Sequence, residues 1–344
     1  GRSVEEYFYE FVRPFDLSDT TLLRAGLLQH HSGNFLFVDI HHIVADGYSF
    51  SILINDFKKI YLEQELAPLS MDYVDYAEWL NGSQSNITSQ KAFWVNQLSG
   101  ELSRTNLPMI GDREEVERKY VSYETAIIPG PVYEKVKAFT ASNNVSDFIF
   151  LLSVYYLLLH KMSGNTDIVI GSEVLGRSKA GLNEVVGTFV NVLPLRAVFS
   201  TDSTYSDFLQ GVKKMVLESS ENQDFQFNQM TELYENDEPE RNPFFDYNFT
   251  YAANNDGDDE LSELDFIPIS FNTKFKGEYE FTLRLTEADG RFNINVIYSY
   301  ELYDVSIIQA MMQFYQNILD EILTDDQLSI EEIQLEKYTD QPTP

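Results

Sequence analysis

The sequence predicts a mixed α/β (α+β) protein built in two lobes. Short apolar runs of strand character alternate with segments of helical period in both halves of the chain. The 344 residues exceed the roughly 250 that a single core serves well. Hydrophobic residues make up 43% of the chain and aromatic residues 14%, enough to fill two cores rather than leave a disordered polymer.

The elements follow in order. Residues 5–13 have helical character up to Pro14, and residues 22–28 read as extended. Residues 34–41 (NFLFVDIH) are a Phe- and Val-rich strand. After Asp46-Gly47 the period changes: Phe50, Leu53, Ile54, Phe57, Ile60 and Tyr61 recur at helical steps, with Ser49 as the expected N-cap. The polar stretch 81–89 reads as a hinge, followed by a helix around Phe93-Trp94. Strands are expected at 121–128 and 166–171, with a buried helix between them that Ser146 opens and that runs to Lys161. Residues 185–199 form an apolar segment interrupted by Pro194, residues 205–219 a helix, and 245–251 another extended run. Residues 278–285 and 292–300 alternate around Asp289-Gly290, a hairpin signal, and 305–323 is a last amphipathic helix. The lobes are placed at 1–88 and 89–335, with an interdomain linker at 336–344.

Charge and cysteine content narrow the function. There are 55 acidic and 24 basic residues, a net charge of −31, which repels phosphate backbones and anionic lipid. Neither nucleic acid nor a membrane is therefore an expected partner. No run is apolar for long enough to span a bilayer. The chain has no cysteine, so disulfides, thiolate metal sites and a cysteine nucleophile are excluded. That composition suits a reducing cytoplasm, the expected location. The acidic run 254–263 reads as an exposed loop, because it lacks the ligand order of a calcium loop.

Of the five histidines, His160 ends an apolar helix and reads as structural, while His30 and His31 precede a Ser-Gly turn. His41 and His42 differ because Asp46-Gly47 follows them. Adjacent residues at a strand end point to opposite faces, so one imidazole can meet substrate while the other packs inward. An imidazole of near-neutral pKa can accept a proton from an amine or hydroxyl nucleophile. On residue types alone, a satisfied structural pair is an equal reading. A metal site would need a third ligand at suitable spacing, and none is evident.

Several ordered segments turn the balance. HHIVADG resembles the HHxxxDG motif of the condensation-domain superfamily, which includes chloramphenicol acetyltransferase-like enzymes. Residues 11–27 are similar to the family segment before that motif, and DYVDYAEWL with FWVNQLSGEL to the stretch after it. IVIGSEVLGR is similar to IGTPVAGR, VGTFVNVLPLR to VGMFVNTLPLR, NQDFQF to HQDYPF, and RNPFFDYNFTY to RNPLF. The resemblance implies two acetyltransferase-like lobes in a V around a tunnel. It implies peptide-bond formation between a donor thioester and an acceptor amine, both delivered on phosphopantetheine arms by upstream and downstream peptidyl carrier domains. An adjacent adenylation domain is a further expected partner, and no cofactor is held by the domain itself. The resemblance makes His42 the active-site residue, with His41, Asp46, Gly47 and Arg177 in support. Asp46 would pair with Arg177 away from the substrate, and the Gly47 region would offer a backbone N–H to the oxyanion. DG-Tyr-Ser, RPFDL and NQDFQF resemble the subclass that takes a D-configured donor.

The family's opening SxAQxRLW and RHExLR segments are not found, so the chain is expected to begin partway through the amino-terminal lobe. Alternatives are an epimerization domain, which would need an EGHGRE-type segment not found here, and a degenerate carrier-docking domain.

Overall fold

The computed structural model describes residues 2–82, 84–113, 120–234, 241–253, 275–276 and 279–335. Two units emerge, one from Gly1–Ser85 with Leu175–Asn191, the other from Asn86–Val174 with Val192–Gly257 and the described carboxy-terminal residues. The grouping is discontinuous. Leu175–Asn191, which a division at residue 88 places with the carboxy-terminal lobe, groups with the amino-terminal residues. The acidic run 254–263 and the linker at 336–344 lie outside the described residues.

In the first unit, α1 (Val4–Phe11) opens on a capping box. The Ser3 hydroxyl accepts the Glu6 N–H and the Glu6 carboxylate accepts the Ser3 N–H. It stops short of residue 13 because Val12 is extended on the approach to Pro14. Strands β1 (Leu23–His30) and β2 (Gly33–Ile40) form an antiparallel hairpin, Leu23 facing Ile40 and His30 facing Gly33. At its turn His31 is exposed and His30 half-buried, its ring against the Ser32 hydroxyl and the Arg2 carbonyl.

Helix α2 (Gly47–Tyr61) corrects the sequence reading twice. Its N-cap is Asp46, not Ser49. Its one buried residue is Ser49; of the apolar stripe, Leu53 and Ile54 are half-buried, while Phe50, Phe57, Ile60 and Tyr61 are exposed. Helix α3 (Tyr73–Gly82) supplies Tyr76, which packs with Leu182, Val185 and Phe189 into a small core.

The second unit holds the large core. The stretch expected to be a hinge is mostly helix: it comprises the end of α3 and much of α4 (Gln84–Gln97). Trp94 of α4 is fully buried and donates its indole N–H to the Asn222 carbonyl at 2.8 Å. Strand β3 (Tyr120–Ile128) leads into α5 (Gly130–Asn143), a helix absent from the sequence reading, which opens at Pro129-Gly130-Pro131. Proline is in fact well placed at a helix start, where its missing N–H costs nothing. Helix α6 (Asp147–Ser163) begins at its Ser146 cap and is buried from Ile149 to His160. No single helix among the described residues is long and apolar enough to cross a membrane.

The remaining elements are β4 (Asp167–Val174), β5 (Asn191–Val198), α7 (Tyr205–Glu221), α8 (Phe227–Thr231), β6 (Tyr247–Ala253), β7 (Phe275–Lys276), β8 (Phe281–Ala288), β9 (Arg291–Ser299) and α9 (Val305–Ile322). Their sheet has seven strands in the order β5-β4-β6-β8-β9-β3-β7. Strand β6 pairs in parallel with β4 and β8, and β8 pairs antiparallel with β9. Pro194 lies inside β5 rather than breaking it, because β5 is an edge strand and a missing N–H can face outward there. Asp289 and Gly290, both at positive φ, make the turn between β8 and β9.

Candidate active site

The segment from His41 to Gly47 runs from the end of β2 to the start of α2. Its first residue continues the hairpin: the His41 N–H donates to the Leu22 carbonyl at 3.0 Å. The His41 imidazole is half-buried, edge-on to Phe15, and its Nδ1 accepts the Ile43 N–H at 3.0 Å. The next imidazole, His42, is exposed. The two neighbours differ in exposure, although both lie beyond the end of β2 and His42 is already in a turn.

Asp46 anchors the far end of the loop. It is buried, and its carboxylate accepts the N–H of Ser49 at 2.8 Å and of Phe189 at 3.1 Å. Burial pushes its pKa up. The two backbone N–H groups, the Ser49 hydroxyl and the Arg177 charge together outweigh burial and hold it below the ordinary carboxylate value. Arg177 Nη2 stands 3.1 Å from Asp46 Oδ1, with both side chains at most 5% exposed. The same guanidinium donates to the carbonyls of Leu182 and Val185 and stands 4.6 Å from the centre of the Tyr48 ring and 4.2 Å from that of Phe189. A planar, permanently charged group with several donors suits such a position, where a lysine would leave acceptors unmet.

Gly176 delivers Arg177 to this place. Its φ is +64°, and a β-carbon there would lie 1.8 Å from the Phe189 carbonyl oxygen. Gly47 is different. It is the first residue of α2, its φ is not in the left-handed region, and nothing lies within 4 Å of where its β-carbon would be. The reversal into the helix thus needs no glycine conformation at Gly47; its small size leaves open space beside the helix N-terminus.

Ser49, read from sequence only as a cap, is a structural joint. Its hydroxyl oxygen accepts the Gly187 N–H at 3.0 Å and an Arg177 N–H at 3.0 Å. Its single proton is within reach of Asp46 Oδ1 at 2.8 Å and of the Gly187 carbonyl at 2.7 Å. Three further residues escaped the sequence reading: Gly187, Thr188 and Tyr73. The Thr188 hydroxyl donates to the His42 carbonyl, and the Tyr73 hydroxyl donates to the Thr188 carbonyl at 3.0 Å. The N-cap-to-third-residue spacing of Asp46 and Ser49 is a local signal that could have revealed Ser49's bond to Asp46. Contacts 115 to 146 residues apart leave no such local signal. Among the described residues, no group of three or more His, Asp or Glu side chains stands together as a metal site would require.

Comparison with known proteins bears on what this loop belongs to. The family model described as the condensation domain matches residues 2–341. Gramicidin S synthase 2 of Aneurinibacillus migulanus is 32% identical over 96% of this chain, which covers 8% of that protein. Bacitracin synthase 2 of Bacillus licheniformis is 31% identical over 97% of the chain and 13% of its own length. The chain thus spans a small fraction of the curated relatives it matches. In solved structures, the X-domain in complex with OxyB from teicoplanin biosynthesis superposes with a TM-score of 0.82 at 21% identity, over 96% of this chain and 77% of that one. A four-domain nonribosomal peptide synthetase bound to AMP and glycine superposes with a TM-score of 0.81 at 22% identity, over 97% of this chain and 27% of that one. These superpositions bear out the mixed α/β class. With the family match running almost end to end, and the histidine loop standing on a buried Asp46–Arg177 pair, the chain belongs to the condensation-domain family.

Proposed function

We propose that this domain forms a peptide bond in nonribosomal peptide synthesis, between an aminoacyl or peptidyl thioester on one carrier and an aminoacyl amine on another. The observation that carries the reading is an exposed imidazole, His42, on a loop whose base is buried and cross-linked. Such a loop holds a reactive group at fixed geometry while leaving it open to substrate.

The acceptor nitrogen attacks the thioester carbon, the C–N bond forms and the C–S bond breaks. The proton lost by the amine is transferred, with His42 as base or as positioner of the amine, and the departing thiolate on the donor's phosphopantetheine arm is protonated. A backbone N–H in the Gly47 region, where nothing lies within 4 Å of a prospective β-carbon, would donate to the oxygen of the reacting carbonyl. Asp46 and Arg177 take no part in proton transfer; they hold the loop. The partners in this reading are upstream and downstream peptidyl carrier domains and an adjacent adenylation domain. The donor is D-configured, on the strength of DG-Tyr-Ser and NQDFQF.

The test is a condensation assay in the full-length synthetase with both carriers loaded. His42→Ala lowers the rate by roughly 10² to 10⁴ and leaves the fold intact, whereas His41→Ala acts through packing. Wild-type turnover by the His42 variant would sink the proposal. Loading L- and D-configured donors in turn decides the stereochemical part.

A further inference from the structure

We infer that Thr188 is a positioning residue for His42, a role resting on the function proposed above. The observation is a template of three consecutive residues alongside the histidine loop. The Gly187 carbonyl accepts the Asp46 N–H at 3.3 Å, and the Phe189 N–H donates to Asp46 Oδ2 at 3.1 Å. Both contacts fix the end of the loop at the helix. Between them, the Thr188 hydroxyl donates to the carbonyl of His42 itself.

The template is held in turn. Gly187 N–H donates to Ser49 Oγ at 3.0 Å, and the Thr188 carbonyl accepts the Tyr73 hydroxyl at 3.0 Å. The Tyr73 ring stands 5.1 Å from that of Phe189 and lies over Gly187, where a β-carbon would come within 2.2 Å of it. A side chain on Gly187 would push the template away from α3. Thr188 is thus a donor on a fixed support, aimed at one carbonyl.

The His42 peptide needs such a support. Residues 42–44 form a turn outside any strand or helix, and all three are exposed. Rotation of the peptide after His42 swings its Cα–Cβ bond, and a displacement near 1 Å at a reacting group can cost roughly a hundredfold in rate. A hydrogen bond to the carbonyl restrains that rotation without touching the imidazole.

The experiment compares Thr188→Val, which keeps the shape and loses the donor, with Thr188→Ser, which keeps the donor, in the full-length synthetase with loaded carriers. His42→Ala is measured in parallel, and imidazole signals of histidine-labelled protein are followed by NMR. Thr188→Val is expected to lower kcat by roughly ten- to a hundredfold with little change in acceptor KM, to leave the melting temperature unchanged, and to shift or broaden the His42 signal. Thr188→Ser is expected to restore most of the rate. If Thr188→Val turns over at the wild-type rate while His42→Ala is dead, the positioning role is overturned and the function stands. If His42→Ala is fully active, the function fails and this role falls with it. Should Thr188→Val melt early, Tyr73→Phe takes its place. It removes the bond to the Thr188 carbonyl and is expected to give a smaller loss of kcat, and an unchanged kcat and His42 signal in that variant would reject the inference.

Discussion

Arg177 and Asp46 are separated by 131 positions, yet Nη2 of the one lies 3.1 Å from Oδ1 of the other. The pair closes the 175–191 segment onto the start of α2, and every contact to the His42 backbone described above sits on the framework it closes.

Breaking that pair leaves a buried charge without its partner. Asp46→Ala and Arg177→Ala are each expected to destabilise the domain by about 3 to 5 kcal/mol, and the double variant by clearly less than the sum. Urea denaturation of the four proteins measures this; additive losses would show that the two side chains do not act as one unit. The depressed pKa of Asp46 adds a pH signature. Its folded pKa lies below the unfolded value near ~3.9, so its stabilisation is present above that pH and is lost as pH falls through the folded value. Asp46→Asn should flatten the acid limb below about pH 4.

Two glycines with similar φ separate conformational cost from collision. Gly164, at +78°, has nothing within 4 Å of a prospective β-carbon, whereas Gly176, at +64°, has the Phe189 carbonyl at 1.8 Å. Gly164→Ala should cost about 1 to 2 kcal/mol from the left-handed backbone alone. Gly176→Ala should cost measurably more and, on the proposed function, reduce condensation, because Phe189 and Arg177 must both move. Equal losses in chemical denaturation would refute the collision argument.

His160 is buried at the end of α6, with Nδ1 2.8 Å from the Asn165 carbonyl. Burial and the neighbouring Lys161 charge lower its pKa, more than the bond to Asn165 raises it. The unfolded chain therefore binds a proton first as pH falls below about 6.5, and the folded state follows only at lower pH. The contribution to stability is complete above that pH and shrinks below it. His160→Gln should show a weaker drop in denaturation midpoint between pH 7.5 and pH 5.5 than the wild type. Identical slopes would mean that His160 does not titrate in this way.

On the proposed function, carrier docking would have to overcome the charge of −31. If carriers are acidic as well, net repulsion acts over a Debye length of ~8 Å at physiological salt, and added salt should strengthen binding. Lys58-Lys59 and Lys213-Lys214 are the basic pairs singled out by the sequence. Lys59 already lies 4.0 Å from Asp56, and Lys214 3.8 Å from Glu218, both on exposed helix faces. Lys→Glu at a true docking pair should weaken carrier binding by calorimetry. Salt-independent affinity with both reversals silent would remove electrostatics from docking.

The sequence by itself determined the elements that rest on neighbours along the chain. The Ser146 cap, the apolar run of α6 and the Asp289-Gly290 turn are local chemistry, and each appears in the structure close to its expected place. The ordered motifs determined the family for the same reason, since a motif is a local string. Elsewhere the deciding partner was distant. Pro194 is tolerated because β5 is an edge strand, a fact of sheet order. Asp46 caps α2 through a bond only three residues along the chain, a local signal that the reading passed over, whereas only the packing of Gly187 and Arg177 makes Ser49 a buried joint. The apolar period of α2 predicted a buried face; what covers a face depends on the rest of the chain, and the described residues leave Phe50, Phe57 and Tyr61 exposed. Helical period reports which residues share a face, and hydrogen-bonding capacity reports which atoms need partners. Which partners they receive, across 128 to 146 residues around His42, is decided only when the chain folds back on itself.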